Sequence, residues 1–102
     1  MSEKKLAGKV AVITGGARGL GRGYALRLAE LGADIGIIDR NLKAFEVYDF
    51  EKNLMKADTV VAECEALEVR AMEIEADLTD RDASDRAIAD IADKMGSIDI
   101  AV

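Results

Sequence analysis

The sequence predicts an α/β protein in which helices cover both faces of a parallel sheet. Three observations lead there. Short apolar runs of strand length alternate with longer segments of helical period. Glycines punctuate the boundaries between them. Half of the residues are hydrophobic, yet aromatic residues make up only 4% of the chain, so that half rests on Val, Ile, Leu and Ala. Strands buried on both faces use those residues.

Each element follows in turn. Lys9–Thr14 (KVAVIT) is a buried strand ending at glycines. Leu20–Leu31 carries Leu20, Tyr24, Ala25, Leu28 and Leu31 at helical spacing, with Gly32 where a helix stops. Asp34–Asp39 (DIGIID) is the second strand. Asn53–Leu67 sets Leu54, Ala57, Val61, Cys64 and Leu67 along one face of a second helix. Val69–Ala76 alternates Val69, Ala71 and Ile74 with charges, the pattern of a strand near a sheet edge. Thr79 or Asp80 can cap a third helix running to Met95, with Ala87, Ile88, Ile91, Ala92 and Met95 inward and Gly96 ending it. Ile98–Val102 (IDIAV) begins a fourth strand. This alternation implies right-handed βαβ units in strand order 3-2-1-4, an incomplete half of a doubly wound fold. Ile13, Ile38 and Val102 are expected in its core.

At 102 residues the chain is expected to be one domain, residues 1–102. Its 20 acidic and 14 basic residues give a net charge of −6, which argues against nucleic acid as a partner. A single anionic ligand is different, because backbone N–H groups can hold it on an acidic protein. No apolar run reaches membrane-spanning length, and no signal peptide precedes Gly8. The lone cysteine, Cys64, suits a reducing cytoplasm and reads as a packing residue. No metal-ligating residue is assigned.

The turn after the first strand reads Thr14-Gly15-Gly16-Ala17-Arg18-Gly19-Leu20-Gly21-Arg22-Gly23. A strand that turns into a helix presents N–H groups with no internal partners, and with the helix dipole they attract phosphate. Gly15 is placed to form the turn, Gly19 to admit close backbone approach, and Gly21 to let helix meet strand. Thr14 is expected to hydrogen-bond within the loop. The spacing G-x-G-x-x-G fails at Ala17, and the ATPase loop fails at Arg22-Gly23, where lysine and hydroxyl are required. What fits is T-G-x-x-x-G-x-G. Thr14, Gly15, Gly19 and Gly21 resemble the cofactor-binding motif of the short-chain dehydrogenase/reductase family, which implies a Rossmann-like three-layer fold and a bound dinucleotide cradled by Thr14, Gly15, Arg18, Gly19, Leu20 and Gly21.

Asp39 ends the second strand 24 residues after Gly15, where a carboxylate can accept from both hydroxyls of the adenosine ribose. It would repel a 2′-phosphate, so NAD is favoured over NADP; Arg40 and Arg18 pull the other way. Asp77 and Leu78 resemble the family's adenine-contacting pair, although Asp77 and Thr79 can also cap the next helix. The resemblance further implies hydride exchange with an alcohol or carbonyl carbon, using a tyrosine, a lysine four residues later and a serine. Those three have no match here, and the chain reaches Val102 where the family's Asn-Asn-Ala-Gly segment is due. No catalytic residue is assigned.

Tyr48 and Lys52 do satisfy Y-x-x-x-K, but they fall too early, lack an upstream serine, and sit among Glu46, Asp49 and Glu51. They are a chance match. The surrounding segment 41–53 is longer than in compact members of the family and holds Phe45, Tyr48 and Phe50. In this it faintly resembles actinobacterial members that hold NAD tightly and process terpenoid alcohols. The expectation is the NAD-binding half of a short-chain dehydrogenase/reductase, inactive by itself. The alternatives are a stand-alone nucleotide-binding module or a truncated product, self-associating through an exposed fourth strand.

Overall fold

A computed structural model describes residues 5–15, 19–40 and 59–102. Its elements are β1 (Val10–Thr14), α1 (Gly19–Glu30), β2 (Asp34–Asp39), α2 (Val60–Glu65), β3 (Ala71–Glu75), α3 (Arg81–Met95) and β4 (Ile100–Ala101). The four strands form one sheet in the order β3-β2-β1-β4, and every pair is parallel. The predicted order and the edge position of β3 are therefore correct.

Side chains alternate across a strand, so each strand serves both faces. Ala11 and Ile13 of β1 and Ile35 and Ile37 of β2 point to one side, where they pack with Ala25 and Ala29 of α1 and Val60 and Cys64 of α2. Val10, Val12 and Ile38 point to the other, against Ala87, Ile91 and Met95 of α3. The result is three layers, helices on either side of the sheet. Gly36 lies on the α3 face, and a Cβ there would come within 2.9 Å of Ile91 Cγ2. The glycine is what lets the fully buried Ile91 reach the sheet.

The helix faces depart from the predicted ones in a consistent way. In α1 the buried residues are Ala25 and Ala29, while Leu20 is 77% exposed and Tyr24 is exposed too. A helix lying close on a flat sheet presents its small residues to it, and the leucines Leu26 and Leu28 fill the flanks. In α2, Cys64 is buried as predicted and Val61 and Leu67 pack against the same cluster, but Val60 and Glu63, outside the predicted face, are buried too. The predicted helix start at Asn53, with Leu54 and Ala57, lies outside the described residues, as does all of segment 41–53 with Tyr48 and Lys52. In α3, Ile88 faces outward. Ile13 and Ile38 are in the core as expected, but Val102 is exposed, because β4 has a neighbour on one side only.

The ends of the elements follow local chemistry. Thr59 caps α2 by accepting from Ala62 N at 3.0 Å. Asp80, not Thr79 or Asp77, caps α3 by accepting from Ala83 N at 3.2 Å. Gly96 ends α3 as predicted. Where the sheet begins, Asp34 accepts from the Arg70 amide and guanidinium, both at 2.9 Å, and pins β3 beside β2.

Cys64 is a free, buried thiol, and burial pushes its pKa up to about 12, with help from Glu63 and Glu65. Two outcomes are expected. Thiol reagents at neutral pH should leave native Cys64 unmodified and label it only after denaturation. Gly36→Ala should lower stability by about 1–3 kcal/mol in a denaturant titration, because the added Cβ presses on the fully buried Ile91 side chain; an unchanged midpoint would contradict the packing described.

Candidate functional site

In a parallel sheet all strands finish at the same edge. Asp39, the last residue of β2, stands opposite Glu75, the last of β3, and Thr14, the last of β1, stands opposite Ile38, one residue short of that end. Arg40 and Ala76 therefore leave the sheet side by side, with Gly15 leaving one residue earlier, beside Asp39. Two backbone bonds hold these exits together: Gly15 N donates to Ile38 O at 2.8 Å, and Ala76 N donates to Asp39 O at 3.0 Å. A cleft of about 300 Å³ opens at this corner, lined by Gly15, Asp39, Arg40, Ala76, Asp77, Leu78 and Thr79. Five residues singled out from sequence thus share one wall: Gly15, Asp39, Arg40, Asp77 and Leu78.

Gly15 and Gly19 both have positive φ, +67° and +58°, so the turn uses backbone that side-chain-bearing residues seldom adopt. A Cβ at either would meet nothing within 4 Å. The protein thus leaves open space above two glycines beside the amino end of α1, whose first N–H groups have no partner within the helix. This fits a pyrophosphate lying on the turn. Leu20, exposed beside Gly19, and the half-buried Gly21 belong to the same helical turn. Arg18 lies outside the described residues.

Thr14 acts differently from the expectation. Its hydroxyl donates to Val102 O at 2.8 Å, and its N–H donates to the same oxygen at 3.0 Å. The last residue of β1 is adjacent to the β4 exit, so Thr14 ties two strands together rather than bracing its own loop. The opposite end of β4 is tied similarly, where Asp99 Oδ2 accepts from Val10 N at 2.9 Å and from Ser97 Oγ at 3.1 Å.

Asp77 is braced before it meets any ligand. Its Oδ1 accepts from Thr79 Oγ1 at 2.7 Å and from Thr79 N at 2.9 Å. These bonds favour the ionised form, and with the nearby Arg40 charge they hold the carboxyl below its ordinary 3.8. Thr79 is thus part of the site wall, where sequence suggested only a possible cap; the Asp-x-Thr spacing was the available signal. Ala76 was missed because its part is played by its backbone.

Comparison with known proteins agrees with the corner so built. The family model for short chain dehydrogenases matches residues 9–102. A cyclohexanol dehydrogenase from a Rhodococcus species is 44% identical over 97 residues, which is 95% of this chain and 36% of that protein. Among solved structures, an NAD+-bound xylitol dehydrogenase superposes with a TM-score of 0.78 at 29% identity, covering 95% of this chain and 33% of that one. A short-chain dehydrogenase from Mycobacterium paratuberculosis bound to NAD superposes with a TM-score of 0.75 at 34% identity, covering 95% and 36%. A glycine turn at the edge of a parallel sheet, with carboxylates at the next two strand exits, is the arrangement of a doubly wound α/β protein with a crevice suited to a dinucleotide. This chain belongs to the short-chain dehydrogenase family and corresponds to the cofactor-binding half of that fold. It spans about a third of the length of the relatives it matches.

The depressed Asp77 carboxyl contributes to stability at neutral pH. That contribution is complete above the ordinary 3.8 and is lost as pH falls through the lower folded value. Asp77→Asn should therefore lower the melting temperature slightly at pH 7, with the gap from wild type closing as the solution is acidified below about 4. A gap that is the same at all pH values would show that the Thr79 bonds do not depend on ionisation.

Proposed function

We propose that this chain is a dinucleotide-binding domain, the NAD(H)-binding half of a short-chain dehydrogenase/reductase that exchanges hydride between nicotinamide and an alcohol or carbonyl carbon. The observation that carries the reading is the cleft that gathers Gly15, Asp39, Arg40, Asp77 and Leu78 beside the open glycine turn. In this assignment Gly15, Gly19, Leu20 and Gly21 of the turn, with Arg18, receive the pyrophosphate. Asp39 accepts from the adenosine ribose, and Asp77 and Leu78 flank the adenine. Nicotinamide supplies the hydride acceptor and donor; the residues assigned here bind and orient, and none moves a proton.

The preference for NAD rests on charge. Asp39 sits where a 2′-phosphate would arrive, and a like charge there is costly. Arg40 lines the same cleft, but its positive charge lies close enough to Asp77 to depress that carboxyl, so part of its field is already answered. No described helix is long and apolar enough to cross a membrane. We place the protein in the cytoplasm, whose reducing conditions suit the free thiol of Cys64.

Titration calorimetry with NAD, NADP and ATP tests the reading. NAD is expected to bind more tightly than NADP, and ATP weakly. Gly19→Val should abolish NAD binding, since a branched side chain at φ +58° both strains the turn and fills the opening. Asp39→Ala should narrow the NAD-over-NADP preference by about tenfold or more. If folded protein binds no nucleotide, or prefers NADP, the assignment fails.

A further inference from the structure

The first turn of α1 carries N–H donors that have no partner within the helix, and little in the turn itself holds it in place. Glycine fills three of its first five positions, at Gly19, Gly21 and Gly23, and each weakens a helix relative to alanine. Leu20 lies in solvent, and the first buried side chain is Ala25. The remaining residue of the turn, Arg22, is the exception. Its Nε donates to Glu63 Oε1 at 2.9 Å and its Nη2 to Glu63 Oε2 at 2.7 Å, a planar two-bond fork. The Glu63 side chain is 2% exposed and the Arg22 side chain 19%. Glu63 sits in α2, its N–H donating to Thr59 O at 3.0 Å, and the next residue, Cys64, belongs to the same core cluster as Ala25 and Ala29.

A buried ion pair is a poor way to add stability, because desolvation cancels most of its attraction. What a two-bond fork does supply is a defined geometry. We propose that Arg22 and Glu63 are positioning residues for the pyrophosphate: the clamp holds the glycine-rich first turn of α1, and with it the N–H donors, against the core through α2. Arg22 acts here through the helix, and its guanidinium faces Glu63 rather than the ligand. The proposal rests on the dinucleotide reading of the site for its ligand, but the clamp itself can be judged without one.

The decisive variant is Arg22→Met combined with Glu63→Leu, which removes both charges together and so avoids stranding one in the core. Three measurements on this chain apply. Its melting temperature should stay near that of wild type. Amide exchange should quicken at Gly23 and Tyr24 while Arg27–Glu30 stay protected. Affinity for ADP-ribose, which carries the pyrophosphate, should fall by about tenfold, and affinity for adenosine, which does not, should hold. A merely structural pair would leave the two ligands in step. Unchanged exchange in the first turn, unchanged ADP-ribose affinity, or an equal loss for adenosine would overturn the proposal. Should wild type bind neither ligand, the dinucleotide reading fails, and the exchange data still decide whether the clamp orders the turn. If the double variant does not fold, Arg22→Lys, which keeps the charge but not the fork, carries the same three comparisons.

Discussion

Parallel pairing of β1, β2 and β3 in a fixed register is the constraint on which the remaining structure depends. Parallel strands cannot be joined by tight turns, so each return passes through a helix, and the helices take the two faces. Because all strands run the same way, their exits share one edge. Thr14 opposite Ile38 and Asp39 opposite Glu75 bring the three exits within one residue of one another along that edge. A shift of a single residue in this register would invert which side chains meet α1 and which meet α3. It would also separate Gly15 from Asp39 and Asp77.

Around that edge, polar groups are assigned before any ligand arrives. The Thr14 hydroxyl is occupied by Val102 O, Asp77 Oδ1 by Thr79, and the Asp39 carbonyl by Ala76 N. Such prior bonding fixes side chains and backbone at little further entropic cost on binding. The glycine turn is the opposite case. There the backbone itself is the binding surface, side chains are absent by necessity, and order must come from elsewhere. A buried fork from Arg22 to Glu63 meets that need.

Much of this was legible in the chain. The strand order, the edge position of β3, the core positions Ile13 and Ile38, and the helix stop at Gly96 follow from period and punctuation, and Gly15, Asp39, Arg40, Asp77 and Leu78 of the cleft from the glycine spacing and the family resemblance it carries; Ala76 and Thr79 do not. The failures on the helices have a common cause. Leu20, Tyr24 and Ile88 are apolar and fall at plausible spacings, yet they are exposed. Helix period tells which residues share a face, but not which of two neighbouring faces the sheet will accept. Small residues won that contact in α1, because a flat sheet lets an alanine face come closer than a leucine face.

Sequence by itself therefore determined the class of fold, the family, and most of the residues that line the cleft, since these depend on local period and on residue types at short spacing. Tertiary structure alone decided the partners of residues far apart in the chain. That Thr14 bonds to Val102, 88 residues on, rather than to its own loop, is a consequence of β4 lying beside β1. Glu63, 41 residues after Arg22, meets its partner only because α2 is laid against α1. Burial of a charge is settled by what stands opposite it, and no local pattern records that.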